Sequence, residues 1–545
     1  MRVLPMARPR WQMLAAEKRQ HEMSKIPEDW LLSTKVVEEA KNRKAITGGY
    51  IEGLLDPDSR RITTLESMEL LKSLGNGSLS AVQVVSAFSK RAAYAHQLGN
   101  YLLEIGFDVG LERAKQLDQY YQEHEKPIGP LHGLPVTLKD QFHIKGLETS
   151  MAFVGWIGTF EGQKGTGKER SFESELIREL YSLGAVPIGK APETNNNIMG
   201  YAWNPHNQKL STGGSSGGVI FSLRFYQRAT KTSTGGSISM PASMNGFKGV
   251  ANTGAGQMIM PTVAGLLGNS LPMLQLVFKS LLSTKPWLYD PYVVPIPYRS
   301  DQEYRPSNEK KPTFGLLMDD GTVTPHPPVT RALHIVERAL KAEGYQVFDW
   351  DAPSVSETSA IHGPIARGDG TPDVWEALQL SGEPPVPQIQ HLFDNGKLKE
   401  PMNLVEYEQV VLHMKDYRHR YQEYWESTVE LTDTGRPIDA VIMPVSPYAA
   451  VQPDKFMYSA YSSSINVLDY TSITISVTFA DEKVDIVGSS FEPLSEIDKK
   501  NMDAYDSHVT DGAPASIQLV GPMLSEERLL SLAQLLADAL AKHRS

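Results

Sequence analysis

The feature that most constrains the fold is a repeated switch between strand-like and helix-like apolar patterning in the second half of the chain. Thr313 to Met318 is a short apolar run of strand length. Pro327 to Glu343 then carries apolar residues at helical spacing, with proline near the first turn where its missing N–H costs nothing. Gly344 stops that helix, and Tyr345 to Trp350 returns to a strand pattern. Ala440 to Met443 and Ile473 to Phe479 read as further buried strands. Ser525 is placed to cap a last helix with Leu529, Leu532 and Leu536 as its apolar stripe. Strands alternating with helices predict an α/β protein.

The first half is predicted to begin with an arm, residues 1–60, made of a polar helix and a loop. Trp11, Leu14, Ala15 and Lys18 have helical spacing. Residues 61–545 are predicted to form one large domain. Thr63 or Thr64 is the expected cap of a helix carrying Met68, Leu71 and Leu74 and stopping at Gly75 to Gly77. Ser80 is the expected cap of the next, with Val84, Val85, Phe88 and Ala92 as its buried stripe. Residues 131–139 read as a turn entering a short buried strand. Residues 174–183 read as a helix, 185–189 as a strand, and 195–218 as a long loop rich in Asn, Ser and Gly.

Composition removes several classes of function. The 545 residues carry a formal net charge of −11, so no basic surplus is available to neutralise phosphates, and a nucleic-acid partner is not expected. There is no cysteine, which excludes disulfides, thiolate metal sites and a cysteine nucleophile. No apolar run reaches the roughly 18 residues of a spanning helix. Residues 1–10 lack the continuous apolar stretch of a secretory signal. A cytoplasmic protein without a membrane partner is the expectation.

Chemistry concentrates in two Gly/Ser clusters, Gly213-Gly214-Ser215-Ser216-Gly217-Gly218 and Gly235-Gly236-Ser237. Glycines beside a serine let the backbone approach a ligand and present adjacent N–H groups. Such groups suit the oxyanion of a tetrahedral intermediate, with the serine as nucleophile. The first cluster is not a phosphate-binding P-loop, because Val219 and Ile220 stand where Lys and Ser/Thr would follow. It also lacks the preceding strand that a nucleophile elbow needs. The 14 histidines form no distinctive motif, so a lysine is the candidate base, as in Ser–Lys variants of the triad. Lys139 ends the apolar run Pro135-Val136-Thr137-Leu138. Burial at such a position favours a neutral amine, the form able to accept a proton.

Taken in order, Gly133-Leu134-Pro135 through Lys139-Asp140, the 213–218 cluster and Gly235-Gly236-Ser237-Ile238 resemble the amidase-signature family. Flanking stretches such as Gly129-Pro130-Leu131-His132-Gly133, Lys145 to Met151, Asp439 to Pro444 and Gly512 to Ala515 resemble its fungal acetamidase branch. The resemblance implies an α/β fold with a central mixed β-sheet covered by helices. It implies a Ser–cisSer–Lys triad in which Ser237 attacks the amide carbonyl, Ser215 relays the proton and Lys139 accepts it. The N–H groups of Thr234, Gly235, Gly236 and Ser237 would form the oxyanion hole. An acyl-enzyme forms, ammonia or an amine leaves, and water releases the acid. The family needs no metal or organic cofactor; its substrate is a small-molecule amide, and homodimers are common in it.

The chain departs from the family at several points. Ser233 and Ser239 stand where an Asp and an Arg are usual. Residues 219–229 are bulky where the family is small, and 161–169 read as an insertion. Two alternatives to hydrolysis of an acetamide-like amide therefore remain: a binding protein on the same fold, or an amidase acting on a larger biosynthetic intermediate.

Overall fold

The computed structural model describes residues 8–214, 251, 256, 259–260, 263–268 and 270–543. Its strands fall into a three-stranded sheet, a five-stranded sheet and a two-stranded hairpin, surrounded by helices. The fold is α/β with mixed sheets, as the alternating pattern predicts.

The five-stranded sheet is built from β6 (Thr313–Leu316), β7 (Gln346–Asp349), β8 (Ala440–Pro444), β9 (Thr471–Phe479) and β10 (Pro514–Gly521), in the order β7-β6-β8-β10-β9. β7, β6 and β8 run parallel, whereas β10 is antiparallel to both β8 and β9. Successive side chains of a strand point to opposite faces, and here both faces are covered. Phe314, Leu316, Ala440, Ile442, Ile517 and Leu519 pack under two helices, α10 (Pro327–Ala342) and α17 (Glu526–Lys542). Val441, Met443 and Val520 face the other way, towards Tyr417, Tyr421 and Trp425 of α13 (Leu404–Ser427). This two-sided burial explains why β8 reads as a continuous apolar run rather than an alternating one. Gly344 closes α10 with φ +74°, a conformation a side chain would strain.

The first half is organised around β1 (Glu104–Ile105), β2 (Pro135–Lys139) and β3 (Val186–Ala191), in the order β1-β3-β2, with β2 parallel and β1 antiparallel to β3. Val186 and Ile188 pack against a core shared by α6 (Ala81–Gly99) and α7 (Phe107–His124). Leu138 faces instead the core containing Leu176, Ile177 and Leu180 of α8 (Glu175–Ser182).

α6 starts at Ser80 as predicted. The Ser80 hydroxyl accepts from the Gln83 N–H, and the Gln83 side chain accepts from the Ser80 N–H, a reciprocal capping box. The preceding helix, α5 (Ser67–Gly75), corrects an expectation: its cap is Glu66, whose carboxylate accepts from the Met68 and Glu69 N–H groups. Thr63 and Thr64 instead end α4 (Pro57–Thr64), and Leu70 and Leu74 are the residues α5 buries, while Met68 is exposed. The N-terminal segment opens with α1 (Arg10–Ser24) at the predicted place. Where the pattern then suggests loop, α2 (Thr34–Lys41), α3 (Gly49–Leu54) and α4 form. Their apolar residues Ala40, Ile51 and Ile62 join the core of α6. Among the described residues no helix is long and apolar enough to cross a membrane.

Candidate active site

The site is assembled from the C-terminal end of β2, the turn that follows it, and the loops that lead into and out of residues 215–250. β2 delivers Lys139, whose neighbour across the sheet is Ala191 at the end of β3. The Lys139 side chain is 15% exposed. Its Nζ lies 3.0 Å from Oε1 of Glu193, two residues beyond β3.

Asp140, the next residue, turns away from Lys139 into the protein. One carboxylate oxygen meets Nζ of Lys190 at 2.8 Å. The other accepts from the backbone N–H groups of Ser150 at 3.0 Å and Met151 at 2.6 Å. Met151 and Ala152 both have positive φ, +47° and +63°. Two consecutive non-glycine residues in that region are costly and persist only where neighbours hold them; the Asp140 carboxylate is that hold. Lys190 is fully buried and spends its remaining hydrogens on the Glu148 carbonyl at 2.5 Å and the Thr149 hydroxyl at 2.7 Å. A buried ammonium with three close acceptors meets the condition for burying a charge.

Beyond the 150s turn stands Glu383, a buried carboxylate just past α12 (Pro372–Ser381). It accepts from Val154 N–H at 2.6 Å, Gly155 N–H at 3.4 Å, the Ser381 hydroxyl at 3.1 Å and the Asn197 side-chain amide at 2.8 Å. Burial pushes its carboxyl above the usual range, against the pull of those donors. Asn197 lies in the hairpin of β4 (Asn195–Asn196) and β5 (Gly200–Tyr201), so one side chain ties three segments together.

The first Gly/Ser cluster enters from this hairpin. Asn204 donates to the Ser211 carbonyl at 3.2 Å, Thr212 donates to the Ala202 carbonyl at 3.1 Å, and the Ser211 hydroxyl accepts from Gly213 N–H at 3.0 Å. Thr194, next to Glu193, donates to the Gly213 carbonyl. On the far side of the cluster, Ala251 N–H donates to the Gln141 carbonyl at 3.0 Å, and Gln141 donates back to the Ala251 carbonyl at 3.4 Å. Both flanks of residues 215–250 are thus pinned within a few residues of Lys139.

Of the predicted site residues, Lys139 is described and sits where the sequence places it, at the end of a strand. Ser215, Thr234, Gly235, Gly236 and Ser237 lie outside the described residues, as do Ser233, Ser239 and the bulky 219–229 stretch. The residues that sequence reasoning misses are Lys190, Glu193 and Glu383. The Asp140 carboxylate, adjacent to Lys139, was the available signal that a buried cation must sit nearby.

The described residues thus form an α/β scaffold with a lysine at a strand end, bracketed by the loops that enter and leave a Gly/Ser-rich segment. It has a well-populated set of relatives. The structure of a fatty acid amide hydrolase superposes with a TM-score of 0.85 at 26% identity, covering 97% of this chain and 95% of that one. Acetamidase from Aspergillus oryzae is 36% identical, covering 96% of this chain and 98% of that protein. Acetamidase from Emericella nidulans is also 36% identical, over 96% and 97%. The profile of the family described as Amidase matches residues 83–530. The chain belongs to the amidase family, and hydrolysis of amide carbon–nitrogen bonds is the activity class that membership supports.

Proposed function

We propose that this chain hydrolyses a small carboxamide, acetamide-like in its acyl part, to a carboxylate and ammonia. Lys139 is the observation that carries the reading: a partly exposed amine at a strand end, with the entry to Ser215 and the exit from residue 250 held beside it. In the proposed cycle the Ser237 hydroxyl oxygen bonds to the amide carbon. Its proton passes through the Ser215 hydroxyl to the Lys139 amine. The oxyanion rests on the N–H groups of Thr234 to Ser237. The carbon–nitrogen bond then breaks, and the leaving nitrogen takes the proton back. Water then attacks the ester carbon while its proton passes along the relay to Lys139, the carbon–oxygen bond to Ser237 breaks, the Ser237 oxygen takes the proton back, and the acid leaves. Two relatives named acetamidase favour the small acyl group.

The test is ammonia release from a panel of simple amides by wild type, Ser237→Ala and Lys139→Ala. Wild type is expected to turn over, with each variant reduced by about 10⁴–10⁶-fold. Labelling by a serine-reactive phosphonate should be lost in Ser237→Ala; labelling that persists unchanged refutes the nucleophile. A second reading, binding without turnover, is favoured by Glu193, which already occupies one Lys139 hydrogen at 3.0 Å. Multiple turnover abolished by Lys139→Ala would eliminate it.

A further inference from the structure

The N-terminal helix reaches the site through charge. Lys18 of α1 is almost fully buried, yet carries an ammonium. Its Nζ contacts three carboxylates: Glu22 at 2.9 Å, Glu148 at 3.0 Å, and Glu104. Glu104 belongs to β1 and stands directly opposite Lys190 of β3 in the sheet register. Glu148 begins the loop whose backbone carbonyl and next side chain, Thr149, hold Lys190. Lys190 in turn meets Asp140, the residue that follows Lys139, and Asp140 accepts from the N–H groups of Ser150 and Met151. The contact chain from α1 to the residue next to Lys139 is continuous: Lys18, Glu148, Lys190, Asp140.

The direction of dependence follows from burial. Burial opposes the charge on Lys18, but the three carboxylates overcome it and hold the ammonium more firmly than usual. Glu104 is in the reverse position. It is fully buried, shares Lys18 with two other acids and has Lys25 no nearer than 3.7 Å, so burial wins and its carboxyl is pushed up to about 7. The remaining cations at the edge are a poor substitute for Lys18: Lys25 is 23% exposed and Arg170 is 53% exposed. Without Lys18, the Glu22, Glu104 and Glu148 carboxylates face one another in a buried space, and Glu148 is the one of the three that no helix or strand holds in place. Displacing Glu148 pulls its carbonyl from Lys190 and loosens the Asp140 turn. Removing one member of a buried charge set is costly for this reason, whereas removing one charge of each sign is not.

We infer that Lys18 is a positioning residue for Lys139, acting through Glu148, Lys190 and Asp140, so that the N-terminal helix is a working part of the active site. The inference rests on Lys139 being the base of the proposed amidase. It does not touch substrate, so it should act on turnover rather than on binding.

The experiment compares full-length wild type, Lys18→Met, Lys18→Arg, the double variant Lys18→Met/Glu104→Gln, and the surface control Lys35→Met. Among the described residues Lys35 pairs with Glu39, and both are well exposed. Two readouts are taken: kcat and KM for ammonia release, and hydrogen exchange of peptides covering residues 148–152 against peptides from α10. Lys18→Met is expected to lower kcat at least tenfold with KM within threefold, and to speed exchange at 148–152 at least tenfold with α10 unchanged. Lys18→Arg and the double variant should recover kcat to within about threefold of wild type, and Lys35→Met should match wild type. A folded Lys18→Met with wild-type kcat and wild-type exchange overturns the inference, as does exchange that rises equally everywhere, which marks a purely structural role. If Lys18→Met does not fold, the double variant decides: restored kcat and local protection support the inference, and their continued loss overturns it. If wild type hydrolyses no amide, the proposed function fails, and the exchange readout still decides whether Lys18 orders the 148–152 turn.

Discussion

Replacing Glu383 by alanine and by glutamine separates what its oxygens do from what its charge does. In the alanine variant four donors lose their acceptor: Val154 N–H, Gly155 N–H, the Ser381 hydroxyl and the Asn197 amide. The 3.4 Å contact from Gly155 is weak, and Asn197 keeps a second bond to the Pro384 carbonyl at 2.8 Å. The real cost therefore falls on Val154, whose residue is 1% exposed, and on Ser381. At about 1–3 kcal/mol for each of these two stranded buried groups, the loss is about 2–6 kcal/mol. Glutamine preserves the acceptor for Val154, Gly155 and Ser381 and sets an amide against Asn197, so its cost is about 1 kcal/mol. With an unfolding entropy of about 2.1 cal/mol/K per residue, 545 residues turn these into melting shifts of about 2–5 °C for alanine and about 1 °C for glutamine. The pH dependence supplies an independent sign. Burial raises the Glu383 carboxyl in the folded state, so its contribution is fully present below the unfolded pKa and is lost as pH rises towards the raised value. The gap between wild type and Glu383→Gln should therefore narrow as pH rises from 4 upward. Thermal melts across that range measure both effects. Equal melting of Glu383→Ala and wild type would refute the reasoning, and glutamine as damaging as alanine would mean that charge, not acceptor capacity, is what matters.

Three further outcomes are expected. Gly129→Ala should destabilise by about 1–3 kcal/mol in a melt, because the added Cβ would sit 2.6 Å from the Leu183 carbonyl oxygen, which belongs to backbone and cannot swing aside. Leu536→Ala in α17, fully buried in the main core, should cost about 2–5 kcal/mol with no change in KM, since the cavity lies under the five-stranded sheet. Glu104→Gln should flatten the pH dependence of stability between about 4.5 and about 7: with the folded carboxyl pushed up to about 7, wild type loses stability as pH rises through that window and the amide does not. Melts at pH 4.5 and pH 8 that change equally in both proteins would contradict that assignment.

What could be read from the sequence, and what could not, divides along the range of the interactions. Ser80 and its capping box, Gly344 at the end of α10, and the apolar stripe Leu529, Leu532 and Leu536 depend on residues within one or two turns, and the structure has them where the pattern puts them. Glu66 escaped because Thr63 and Thr64 are better local caps on propensity. Only the fold shows that Thr63 is already engaged, donating to the Ser59 carbonyl at 2.7 Å and accepting from buried Arg91 at 3.0 Å. The stretch up to residue 60 reads as loop after the first helix because each short helix there contributes only one or two buried apolar side chains to a core that α6 completes. The strand-end position of Lys139 was legible for the same local reason, as the last residue of an apolar run. Its surroundings were not. Lys18, Glu104, Glu148 and Lys190 are separated by tens of residues and carry charge, so every local rule assigns them to the surface. They become interior only as a set, since each is tolerable in a buried position once the others are there to neutralise it. The helix that looks most like a dispensable polar arm is therefore the one whose charges the site's own supporting turn cannot lose singly.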